Sequence, residues 1–65
     1  MTLQEIEAAV QNIVDLSWDP EVAHSREDDL YESVLRFIAS GQSDAAPLAA
    51  AVLKTKDIEF TRWCA

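Results

Sequence analysis

Apolar residues recur at helical spacing along most of this chain, the mark of helices with one greasy side. The strongest instance is residues 25–41, SREDDLYESVLRFIASG. Leu30, Tyr31, Val34, Leu35, Phe37 and Ile38 fall on one side of this helix. Asp28, Asp29, Glu32, Ser33, Arg36 and Ser40 fall on the other. The apolar side spans roughly 160° of arc, wider than a two-helix seam needs. Such a helix must be covered from several directions, so it reads as the hub of the fold. Both ends are written locally. Ser25, with Asp28 three residues later, suits a capping box. Gly41 sits where a helix C-terminus favours positive φ.

Residues 2–17 read as the first helix. Leu3, Ile6, Val10, Ile13, Val14 and Leu16 share one face, and Glu5, Glu7, Gln11, Asn12 and Asp15 the other. Thr2 with Glu5 is a second capping box, and Met1 with Ile6 fits a hydrophobic staple. The connection SWDPEVAH suits a short turn from Pro20 before the hub restarts at Ser25, since a residue before proline disfavours helix. One helix from Pro20 to Ser40 is the alternative. Trp18 is expected to fold back as a lid on one end of the core.

A helix over residues 44–54 follows, antiparallel to the hub because the link is short. Pro47 is tolerable only in its first turn. Its alanines favour helix, and Leu48, Val52 and Leu53 anchor it. In the tail, Asp57 suits a cap for a short helix over residues 58–64, which brings Phe60 near Trp63 and Cys64. A strand is the other option for Ile58 and Phe60, but no partner strand is evident. The expected architecture is therefore all-α: one small domain, 1–65, with three main helices and a short C-terminal one.

Composition changes this picture in two ways. The chain has 65 residues and one cysteine, Cys64, so no internal disulfide supports a small core. Self-association, or folding against a partner, would supplement that core. The net charge is −7 and uneven. Residues 1–35 carry nine acidic residues and one basic residue, and residues 36–65 carry three and four. A phosphate backbone or anionic membrane is a poor partner for such a surface, and a basic protein a better one. No apolar run reaches the roughly 18 residues of a membrane span. The start lacks a secretory pattern, so a cytoplasmic location is expected.

Candidate chemistry is sparse. His24, with Glu21, Glu27 and Asp28, makes a poor metal set without spaced His or Cys pairs, and the simpler reading is a solvated histidine ahead of the hub. Cys64 has no base placed beside it. A single glycine excludes a glycine-rich phosphate loop. No catalytic, cofactor-binding or metal-ligating residues are expected. Two candidate partner-binding groups remain. Ile58, Phe60, Arg62 and Trp63 are residue types enriched at binding hot spots, although near a terminus they commonly close a core. Glu27, Asp28, Asp29 and Glu32 form the densest acidic cluster, a solvated group that offsets the hub's N-terminal dipole, and Asp28, Asp29 and Glu32 are the candidate acidic patch.

The acidic-start helix SREDDLYESVLRFIASG, the alanine-rich helix and the ending DIEFTRWCA resemble small orphan proteins encoded by phages of actinobacteria. The resemblance implies an intracellular accessory protein that engages a host protein. The expected function is a non-enzymatic protein–protein interaction module, self-associating or binding a host protein. The alternative is an acidic, DNA-mimic-like inhibitor that captures a basic nucleic-acid-binding protein through Asp28, Asp29 and Glu32.

Overall fold

A capping box opens the first helix, α1, Leu3–Asp15. The Glu5 N–H donates to the Thr2 hydroxyl at 3.1 Å, and the Thr2 N–H donates to Glu5 Oε1 at 2.7 Å. Two donors that a helix start leaves without partners are thereby satisfied. The computed structural model describes residues 1–41 and 45–62. In it α1 is followed by α2, Pro20–Ala39, by α3, Ala45–Leu53, and by a 3-10 helix, Lys54–Asp57. No strand occurs among the described residues. The predicted class and the three main helices are the ones observed.

The hub helix starts earlier than the preferred reading had it. Asp19, not Ser25, is the N-cap of α2; its carboxylate accepts from the Val22 N–H at 3.4 Å, and Pro20 opens the helix. Proline there gives up no helical bond, and its fixed φ is already helical. Ser25 is exposed inside the helix and caps nothing. Continuation through this region also buries Ala23, which lies two turns before Leu30 on the same face. At the far end Gly41 takes φ 94° and donates its N–H to the Ile38 carbonyl at 3.0 Å, as its position predicted.

Pro47 falls in the first turn of α3. The expected start of this helix at residue 43 or 44 lies outside the described residues. Past Leu53 the chain tightens into the 3-10 helix and then leaves helical geometry, with Ile58 at φ −85°, ψ 127°. The short C-terminal helix is therefore at Lys54–Asp57 and not at 58–64. Residues 58–62 are irregular, and the Trp63 and Cys64 part of that expectation lies outside the described residues.

Each helix contacts the other two, and α1 also touches the 3-10 helix. The core comprises Ile6 and Ile13 of α1, Ala23, Leu30 and Val34 of α2, and Leu48, Ala51 and Val52 of α3. Tyr31, Phe37, Ile38, Ile58 and Phe60 pack around it. Several side chains expected inside lie outside, among them Leu3, Val14 and Leu53, and most of all Trp18 and Leu35. Trp18 is 77 % exposed. It sits in the tight turn closed by the Asp19 N–H to the Leu16 carbonyl at 2.9 Å, which starts α2 at once and leaves the indole outside. Leu35 is 65 % exposed. It stands about 100° round the helix from buried Val34, at the far edge of the apolar arc. Among the described residues no helix is long and apolar enough to cross a membrane.

The two readings of the α2 start separate in a pair of substitutions. Asp19→Ala should lower stability by about 1 kcal/mol through loss of the cap. Ser25→Ala, at an exposed interior position, should raise it by about 0.5 kcal/mol. Urea unfolding followed by circular dichroism gives both values, and the opposite ranking would restore a start at Ser25.

Candidate functional site

Three surfaces could carry function: the C-terminal segment, the acidic side of α2, and the cleft between α2 and α3. The first is organised by one buried charge. Glu27 shares its face of α2 with Ala23, Leu30 and Val34 and is 1 % exposed. Arg62 meets it with two bonds, Nε donating to Oε1 at 2.9 Å and Nη2 to Oε2 at 3.1 Å. The same Nη2 donates to the carbonyls of Thr55 at 2.8 Å and Ile58 at 3.1 Å, while Nη1 donates to that of Phe60 at 3.3 Å. The guanidinium also lies over the Phe60 ring, its carbon 3.8 Å from the centroid. A planar fork of five donors suits this arrangement, and a lysine could not reproduce it.

Electrostatics follow the geometry. Burial pushes the Glu27 carboxyl up. Hydrogen bonds from Arg62 and Thr55, with the charges of Arg62 and Lys56, outweigh burial and hold the group below its ordinary value. The bond to Glu27 in turn raises the Arg62 guanidinium above its ordinary value, against its own desolvation. Next to this pair the Tyr31 and Thr55 hydroxyl oxygens lie 2.6 Å apart, and Lys56 Nζ stands 5.7 Å from the centre of the Tyr31 ring. Of the four tail residues singled out in the sequence, Ile58 and Phe60 thus close the core and Arg62 clamps the segment to α2. Trp63 lies outside the described residues.

Asp28, Asp29 and Glu32 are all exposed on α2. Asp28 Oδ1 lies 3.5 Å from His24 Nε2, and Glu32 Oε2 accepts from Arg36 Nε at 3.0 Å. Asp29 joins Glu5, Arg26 and Ser33 on an open hollow between α1 and α2. His24 is not the solvated residue ahead of a helix that the sequence suggested. It lies inside α2, half-buried, and its buried Nδ1 meets no hydrogen-bond partner among the described residues. No group of three His, Cys, Asp or Glu side chains among the described residues could hold a metal.

The third surface is apolar. Tyr31, Val34, Leu35 and Ile38 of α2 and Ala49, Val52 and Leu53 of α3 line a groove of about 260 Å³. Leu35 and Leu53, 65 % and 58 % exposed, form its lips. Comparison with family models, curated proteins and solved structures finds no match to this chain. The sequence reading had counted Leu35 and Leu53 as core, so the groove was missed. The available signal was position: Leu35 sits at the edge of the hub's apolar arc, and Leu53 is the last residue of α3.

The Glu27–Arg62 pair makes two measurable demands. Arg62→Met leaves a buried carboxylate without its partner, which costs about 3–5 kcal/mol. That is comparable to the whole stability of a domain this small, so the variant should be largely unfolded by circular dichroism. The second demand is on pH. The folded carboxyl lies below its unfolded value, near 4.5. Its stabilisation is therefore present above that value and is lost as pH falls through the lowered folded one. Below about pH 5, urea midpoints of the wild type should fall more steeply than those of Glu27→Gln. Parallel slopes would remove Glu27 from the acid response.

Proposed function

We propose that this chain is a non-enzymatic protein–protein interaction module whose contact face is the α2/α3 groove. The supporting observation is that two leucines stand more than half exposed on the lips of one apolar groove, in a domain with few large core side chains. Scattered exposed apolar residues are ordinary, but a contiguous lined groove is the usual setting for an amphipathic helix. The groove runs between two helices whose buried faces fix its walls, so it is preformed and loses little entropy on binding. An acidic capture surface draws less support, because this side of α2 is not of one sign: Arg36 Nε lies 3.0 Å from Glu32 Oε2, and Lys56 Nζ stands 5.7 Å from the ring of Tyr31, the residue next to Glu32.

A displayed library of helical peptides tests this reading. Selection against the wild type should enrich amphipathic sequences. Their binding should shift the backbone amide resonances of Tyr31, Leu35, Ala49 and Leu53, and should be lost in Leu35→Asp. No enrichment, or shifts confined to other surfaces, would refute the module.

A further inference from the structure

We propose that the groove's occupant is a second copy of this chain, docked about a two-fold axis that runs along the groove. This rests on the groove being a protein-binding face, and it deepens that reading by naming the partner. Charge placement carries it. Only residues 42–44 separate Gly41 from α3, and Thr55, just past α3, reaches back to Tyr31. The two helices therefore run antiparallel, with the start of the 3-10 helix level with the middle of α2. At that level α2 presents exposed Asp28 and Glu32, the latter also paired with Arg36 on its own helix, and the chain after α3 presents exposed Lys54 and Lys56, with Lys56 Nζ 5.7 Å from the Tyr31 ring. Each copy thus carries acidic side chains on α2 and basic side chains just past α3, exposed at one height on the two segments that flank the groove.

A two-fold axis along the groove lays α2 of each copy over α3 of the other without changing that height. Asp28 and Glu32 then face Lys54 and Lys56 of the other copy, twice by symmetry, and Leu35 meets Leu53 of the other copy, also twice. An axis across the groove would lay α2 on α2 and leave both lysines unmatched. The charges select the first arrangement, which is the usual role of rim charges at an interface.

Sedimentation velocity over a micromolar concentration series reads the result. The wild type should pass from monomer to dimer. Leu35→Lys and Leu53→Lys, at exposed positions that leave the fold alone, should each raise the dimer Kd more than about tenfold. Asp28→Lys with Glu32→Lys should abolish self-association, and so should Lys54→Glu with Lys56→Glu. Mixed in equal amounts, these two charge-reversed chains should form a heterodimer, because each then faces its opposite. If the Lys54, Lys56 variant fails to melt cooperatively, Lys54→Glu alone replaces it in the mixture. A wild type that stays monomeric to high micromolar concentration, leucine variants that associate normally, or a mixture no better than its parts would each overturn the proposal. Library peptides that still map to the groove would then leave the module standing with a different partner. Loss of those peptides too would remove both.

Discussion

A carboxylate taken out of water has to be neutralised or paired, and in this chain that requirement falls on Glu27. Its position on α2 is dictated by the helix: four residues after Ala23 and three before Leu30, it cannot avoid the core face once the helix runs unbroken from Pro20. Arg62, thirty-five residues later, supplies the counter-charge. To do so the chain must cross back over α2 after the 3-10 helix. That crossing sets Ile58 and Phe60 on the core. It also explains why residues 58–62 are not helical. The guanidinium takes the carbonyls of Thr55, Ile58 and Phe60, acceptors that a helix would have spent on its own ladder. The segment is held by one side chain instead of by regular backbone pairing.

This clamp redistributes the apolar surface. With the tail fixed across the Glu27 face, its aromatic ring and aliphatic side chain serve the domain itself. Cover for the core thus comes from α1, from α3 and from the tail, and all three leave Leu35 uncovered. Tyr31 marks the boundary. Its ring lines the groove while its hydroxyl reaches Thr55 of the clamp. The groove wall is thereby tied to the buried ion pair, and loosening the pair would loosen the wall.

Local signals placed the helices well where a single residue type decides the outcome. Thr2 with Glu5, Pro20 as a possible first helical residue and Gly41 all acted as their chemistry requires. The misplaced α2 start came from two competing caps. Ser25 with Asp28 matches a capping pattern, but Asp19 with Pro20 also does. Ala23 decides between them, because its burial needs the longer helix, and a small residue registers weakly in an apolar pattern. Glu27 was read as part of a solvated acidic cluster because nothing near it in sequence reveals a partner. Its burial is a long-range fact and depends on Arg62. The groove was illegible for the complementary reason: a helical arc shows which side chains are apolar, not how far round the neighbouring helix reaches. Leu35 and Leu53 have the composition of core residues and the positions of lips.

The strength of the proposed self-association follows from the same arrangement. Two-fold symmetry brings four half-exposed leucines into one contact, and each contributes about 1.5–3 kcal/mol if fully covered. Half of that benefit is already realised in the monomer, where each leucine is partly covered by its own helices. Rim pairs between exposed carboxylates and lysines add about 0–1 kcal/mol each. The leucines and the apolar groove walls between them supply the attraction, and the charges supply register more than affinity. Such a contact responds to concentration and to ionic strength, since screening acts on the rim pairs and leaves the leucines alone. The monomer does not need the contact in order to fold, because its buried ion pair and core are complete within one chain. An interface of this kind can open without unfolding either copy, because the clamp takes the tail inward while the groove faces outward.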